Sequence, residues 1–151
     1  MIVKARRTDI NIIIDMMKKY SSYSPIFELR TTHNEQHVRN VVDAIIVGQG
    51  FVLLAFKDET PVGMFIAIRH GNTWNPDVKI LTELAFWVEP EHRHSSVGYR
   101  LLKEYEKCAE EMLINKSITA YTVSRLESSE FDPAKRGFKP LDFTYFKQLE
   151  E

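Results

Sequence analysis

The spacing of apolar residues changes several times along the chain, and each change predicts an element. "IVKA" at 2–5 predicts a short opening strand. Ile10, Ile13, Ile14 and Met17 fall on one face of a helix, with Thr8 or Asp9 in front as its cap. Residues 20–33 mix Ser, Pro, Thr and aromatics without a period and predict a loop. Val38, Val41, Val42, Ile45 and Ile46 restore the helical spacing over about 34–47, and Gly48 supplies the stop. The period then shortens to two. "FVLLAFK" (51–57) and "PVGMFIAIRH" (61–70), joined through "KDET", predict a hairpin. "VKILTELAFWVE" (78–89) predicts a long strand, apolar on both faces and therefore central in its sheet.

Val97, Leu101, Tyr105, Cys108, Ala109 and Met112 line one face of a helix over 97–113. It predicts a crossover that lays a strand at 117–124 parallel to the one at 78–89. A helical turn within 128–138, closed at Gly137, and a last strand at 141–149 complete the order β-α-α-β-β-β-α-β-α-β. The fold class is α/β, a single domain over 1–151 with a mixed, mostly antiparallel central sheet flanked by helices. The meander has no helices inside it, which excludes a doubly wound nucleotide fold.

Composition narrows the function classes. A formal net charge of −1 creates no global field for nucleic acid or an anionic membrane. The single cysteine, Cys108, allows no internal disulfide and no cysteine-based zinc site. Its place on an apolar helix face predicts a buried thiol rather than a nucleophile. His33, His37 and His70 have no metal-ligand spacing, so no metal is expected. No signal-peptide core and no membrane-length apolar run stand in the sequence, and the expected location is cytoplasmic.

One stretch carries candidate chemistry. Between the strand ending at Val88 and the helix at Val97 lie Pro90, Arg93, two histidines (His92 and His94), Ser95 and Ser96, with Gly98 in the first helical turn. A helix N-terminus presents unpaired N–H groups and about half a positive charge. Small residues let those groups close on an anion such as a phosphate, and Arg93 adds a permanent forked donor. A solvated loop with a serine cap is the alternative.

"ELAFWVEPEHRHSSVGYRLL" (83–102) resembles the acetyl-CoA-binding segment of the GNAT superfamily of N-acetyltransferases. Arg93, Ser96 and Gly98 stand at the family's motif positions, and "KRGFKP" (135–140) is similar to its late Gly-Phe signature at Gly137 and Phe138. The resemblance implies acetyl-CoA as cofactor, with its diphosphate on the main-chain amides of His94, Ser95, Ser96, Val97 and Gly98, beside Arg93 and Tyr99. It also implies that main-chain groups near Phe86, Trp87 and Val88 pair with the pantetheine. Ser96 replaces the first motif glycine. A left-handed backbone there would strain the serine, whereas a helical one would not.

The implied reaction moves acetyl to a primary amine, which must lose a proton from a pKa of about 10.4 to attack. Glu83, mid-strand between apolar neighbours, is the candidate base. Strand alternation predicts that it shares a face with Lys79, Leu81 and Ala85, opposite Leu84 and Phe86. An ion pair with Arg69 of the preceding strand is the alternative role. The family's tyrosine acid has no counterpart, because Pro133 holds that position, with Phe131 nearby. Tyr121 and Tyr145 are the substitute candidates, and core packing is their alternative. Two readings follow: an N-acetyltransferase with acetyl-CoA and an amine acceptor as partners, or a GNAT-like CoA-binding or interaction module without catalysis. The acceptor would be selected by 20–33 and 125–148, and a homodimer paired through the last strand stays open.

Overall fold

The computed structural model describes residues 1–125 and 131–149. Five strands form one sheet in the order β1 (Ile2–Lys4), β2 (Gly50–Lys57), β3 (Thr60–Gly71), β4 (Lys79–Val88) and β5 (Ala120–Thr122). The first four pair antiparallel, and β5 runs parallel to β4. This is the mixed, mostly antiparallel sheet that the periodicity predicts. The β2–β3 turn is two residues, Asp58 and Glu59, both with positive φ (49° and 70°). Such a turn matches the right-handed twist of its strands.

Alternation along β2 and β3 divides the core. Val52, Leu54, Met64 and Ile66 pack under α1 (Ile10–Ser21) and α3 (Glu35–Ala44), against Ile13, Ile14, Val42 and Ile45. Leu53, Ala55, Phe65 and Ala67 face the other way, under Leu101, Leu102, Tyr105 and Ala109 of α4 (Val97–Ile114). Each fully buried large side chain contributes about 1.5–3 kcal/mol relative to exposure, so both faces hold the sheet.

Local chemistry sets the helix ends. A 3-10 turn at Arg7–Asp9 precedes α1, and the Asp9 carboxylate accepts the Arg6 main-chain N–H at 2.8 Å instead of capping α1 itself. The Asn34 side chain caps α3 by accepting the His37 N–H at 3.1 Å. After Ala44 the helix widens into a π-turn, Ile45–Gln49, and breaks at Gly48.

Three expectations are corrected. The predicted loop 20–33 contains a short helix, α2 (Phe27–Thr31), whose end is closed by the Thr31 and Thr32 hydroxyls donating back to the carbonyls of Phe27 and Glu28. The strand predicted at 117–124 pairs only over Ala120–Thr122. The segment 141–149 forms no strand; Leu141, Phe143 and Tyr145 alternate along it but are exposed. Alternation is a local signal, whereas a strand needs ladder hydrogen bonds from a neighbour. The predicted helical turn is a 3-10 turn at Pro133–Arg136 closed by Gly137 at φ 87°, a conformation that favours glycine; its predicted start at 128–130 lies outside the described residues.

Candidate functional site

The site is built where β4 and β5 part. Parallel pairing runs from Ile80↔Ala120 to Thr82↔Thr122 and stops, while β4 continues to Val88. Beyond Thr82, the edge of β4 that faced β5 has no strand partner among the described residues. Its main-chain groups are left to pair with something else.

Glu83 sits at this fork. It is 8% exposed, the one buried charged side chain among the described residues. Burial pushes its carboxyl up to about 7, with the main-chain N–H of Ser124 working in the opposite direction. Arg69 does not pair with it: Arg69 stands opposite Leu81 and donates from Nε to the Ser117 carbonyl at 2.8 Å, while Ala67 stands opposite Glu83. Desolvation without a cation is the physical cause of the raised value.

The strand alternation expected around Glu83 is broken. Ile66 pairs with Ala85 and Ala67 with Glu83, so Leu84 is an extra residue in β4, a β-bulge. The bulge reverses the faces beyond it. Leu81 and Phe86 both pack on the α4 side, and Ala85 packs with Trp87 on the α1 side. Leu84 itself is 40% exposed.

Two tyrosines that the sequence pattern did not single out feel the charge of Glu83. Tyr20, at the end of α1, is half-buried; burial raises its hydroxyl, and the charge of Glu83 raises it further. Tyr105 of α4 is fully buried and is raised by burial first and Glu83 next. Its hydroxyl donates to the Thr122 carbonyl at 2.6 Å, with the Leu81 carbonyl at 3.4 Å. Among apolar helix positions Tyr105 reads as packing, and Tyr20 reads as the edge of a loop; only the tertiary fold couples both to Glu83.

The two candidate acids differ in their surroundings. Tyr121 packs edge-on to Tyr105 (5.7 Å between ring centroids) and Phe138 (5.4 Å). Burial raises its hydroxyl, and the charges it feels are Glu110, Glu106 and Arg136 on the α4 side, not Glu83. Tyr145 is 88% exposed in the tail. The Gly137–Phe138 pair closes its turn through the Phe138 N–H to the Pro133 carbonyl at 3.2 Å and lays Phe138 on β5.

The strand-to-helix loop follows directly from β4. A 3-10 turn, Pro90–His92, is held toward α1 by the Lys19–Glu89 ion pair at 2.8 Å. Arg93 clasps the loop: its Nε donates to the Val88 carbonyl at 2.9 Å, and its guanidinium lies 4.6 Å from the Trp87 ring and 5.2 Å from the Tyr23 ring. Trp87 is buried, and its indole Nε1 has no partner among the described residues. Ser95 donates its N–H to the His92 carbonyl at 3.1 Å, and its Oγ accepts the Val97 N–H at 3.3 Å. The N–H groups of His94, Ser96, Gly98 and Tyr99 have no acceptor among the described residues. Open donors at and just before a helix start are the kind of groups that suit an anion.

Ser96 has φ −80° and ψ 2°, so the serine is unstrained at the motif position. A Cβ at Gly98 would lie 3.6 Å from Val88 Cγ2 and 3.8 Å from Phe86 Cζ, which are ordinary contacts. The Tyr99 ring next to these donors is flanked by Lys103 at 5.7 Å and Arg136 at 5.2 Å, and Arg136 is ion-paired with Glu106. A shallow depression of about 560 Å³ along α4, lined by Arg100, Lys103, Glu106 and Arg136 among others, contains none of the fork residues. No cluster of three or more metal-ligating side chains occurs among the described residues, and no described helix is long and apolar enough to cross a membrane. Cys108 is buried, and burial raises its thiol, as expected of a packing residue.

Comparison with known proteins agrees with the fold. A family described as the acetyltransferase (GNAT) family matches residues 14–132. A predicted acetyltransferase with acetyl-CoA from Clostridium acetobutylicum shares 13% identity at a TM-score of 0.74, covering 98% of this chain and 95% of its own. A possible acetyltransferase from Clostridium difficile 630 shares 12% at a TM-score of 0.71, with the same coverage of 98% and 95%. A ribosomal-protein-alanine N-acetyltransferase from Brucella melitensis shares 12% at a TM-score of 0.63, covering 97% of each chain. At these identities the likeness is one of fold. No curated protein sequence matches.

Proposed function

The chain belongs to the acetyltransferase (GNAT) family, and from that premise we propose that it transfers an acetyl group from acetyl-CoA to a primary amine by direct attack. The observation that carries this reading is the buried, cation-free Glu83 at the mouth of an open strand fork. The loop supports the cofactor: four unanswered amides suit a diphosphate, and the unpaired edge of β4 suits an extended chain of amides. Bound there, acetyl-CoA would supply a thioester carbonyl as electrophile.

The protein's own part is proton removal and carbonyl polarisation. A carboxylate of pKa about 7 faces an amine of about 10.4, a mismatch of about 3.4 units or roughly 4.6 kcal/mol. At the ordinary 4.5 the mismatch would be about 5.9 units, so burial removes roughly 3.4 kcal/mol of the uphill transfer. An N–H on the free edge of β4 would polarise the carbonyl. Trp87 and Tyr23 brace Arg93, and Arg93 fixes the loop on Val88.

The test is thiol release from acetyl-CoA across a panel of protein, polyamine, amino-sugar and small-metabolite amines, beside calorimetric binding of acetyl-CoA and CoA. Binding with amine-dependent thiol release is expected. Equal binding of both thiol forms with no release for any amine would favour the module without catalysis. The specific observation on that side is that Tyr121 is packed edge-on between Tyr105 and Phe138 and Tyr145 is exposed in the tail. Absence of binding would overturn the enzyme and the CoA-binding module and leave the interaction role.

A further inference from the structure

Tyr105 does more than its packing requires. Its ring stacks on Phe65 at 4.2 Å and meets Tyr121 edge-on at 5.7 Å, contacts that a phenylalanine would also make. The hydroxyl is a separate matter. It is buried with the ring, and it donates at 2.6 Å to the carbonyl of Thr122, the residue at which the β4–β5 ladder stops. A carbonyl at the end of a ladder has lost its next strand donor, and a buried one must find another. Tyr105 reaches across from α4 to supply it, with the Leu81 carbonyl of β4 at 3.4 Å on the other side of the seam. One hydroxyl therefore touches both strands at the last point where they are together.

Thr122 is the last rung, opposite Thr82, so Glu83 is the first residue of β4 past the ladder and Ser124 lies two residues past it on the other strand; a main-chain N–H there favours the ionised carboxylate. The direction in which β5 leaves Thr122 determines where that N–H stands. We propose that Tyr105 is a positioning residue of the acetyl-transfer site: by holding the Thr122 carbonyl at the last rung of the ladder, its hydroxyl sets the opening of the fork beside Glu83 and the place of the Ser124 N–H relative to that carboxylate. The proposal rests on the reading of Glu83 as base. Among the described residues, the groups coupled to the Glu83 charge are Tyr20 of α1, Tyr105 of α4 and the Ser124 N–H beyond β5, while β3 opposes Glu83 with Ala67. No cation among them competes with the N–H for control of the carboxylate.

The experiment is a carbon-13 titration of the Glu83 side chain in the full chain, assigned by its loss in Glu83→Gln, combined with steady-state kinetics. In Tyr105→Phe the ring contacts persist and the hydroxyl is gone. The Glu83 midpoint is expected to climb above about 7 by about half a unit or more as the N–H drifts away. Turnover should fall about tenfold, with the KM for acetyl-CoA moving less than about twofold. Ser124→Pro deletes the N–H itself outside the core, and the same upward movement of the midpoint is expected there. A Tyr105→Phe protein that melts earlier but keeps the Glu83 midpoint and the turnover would overturn the proposal, leaving Tyr105 a packing residue. An unmoved midpoint in Ser124→Pro would overturn the route through Ser124. A midpoint that moves in both variants, in a protein whose rate never follows Glu83, would uphold the Tyr105 link and remove Glu83 as base.

Discussion

The strand-to-helix loop and the β4–β5 fork, the two halves of the proposed site, are built in opposite ways. The loop is local: its donors come from consecutive residues, and its clasp, Arg93 on Val88, spans five positions of sequence. The fork is assembled from distance. Glu83 comes from β4, Ser124 from beyond β5, Tyr105 from α4 and Tyr20 from α1. A local half tolerates drift elsewhere in the fold, because its geometry is fixed by a helix start. A distributed half depends on register, and one bulge at Leu84 decides what surrounds the carboxylate. Binding should therefore be altered by changes in the loop, and chemistry by changes at the fork, with little exchange between the two.

Variants can break that separation. The largest effect is expected for Gly98→Glu, which sets an anion among amides arranged for an anion. Like charges in contact cost several kcal/mol, so affinity for acetyl-CoA should fall on the order of 1000-fold by calorimetry. The fold should survive, since the protein leaves room at that Cβ. Retained affinity would place the diphosphate elsewhere.

Glu83→Gln comes next and should act on the other half alone. Turnover is expected to drop about 100-fold or more, with acetyl-CoA affinity within about twofold. The same variant carries a stability signature. The Glu83 carboxyl is raised from 4.5 to about 7 by folding, so its contribution is fully present below pH 4.5 and is lost as pH rises through about 7. The difference of 2.5 units corresponds to at most about 3.4 kcal/mol. Chemical denaturation should thus show Glu83→Gln gaining on the parent by about 2–3 kcal/mol between pH 4.5 and pH 8. A difference that stays flat with pH would mean that Glu83 titrates normally.

The smallest effect is expected for Ser96→Gly, which restores the family's motif residue. At φ −80° the serine is unstrained, so the glycine should change acetyl-CoA affinity by less than about threefold and stability by a few tenths of a kcal/mol. A large gain in affinity would show that the bound loop needs a backbone that serine resists.

The same contrast explains what could be read from the chain before its structure. The loop was legible because Pro90, Arg93, Ser95, Ser96 and Gly98 are neighbours and their chemistry is that of any helix start. The strand meander, the crossover helix and the Asn34 region were legible through their periods. Glu83 could be named as a carboxylate among apolar residues, but not its surroundings. Leu84 looks like any strand residue, and the bulge that it makes exists only in the pairing of β4 with β3. Tyr105 carries the spacing of a core position, and nothing local shows that its hydroxyl closes a carbonyl 17 residues away. In the segment 141–149 the opposite failure occurs: the local pattern is that of a strand, yet no ladder forms on it.

The most direct test of the account is the pH dependence of acetyl transfer at saturating acetyl-CoA and amine, measured beside the carbon-13 titration of Glu83 in the same buffers. A buried base predicts that log kcat rises with pH and levels off, with an inflection at the Glu83 midpoint, near 7. A carboxyl titrating near the ordinary 4.5, or a rate that passes through the Glu83 midpoint without inflection, would contradict it.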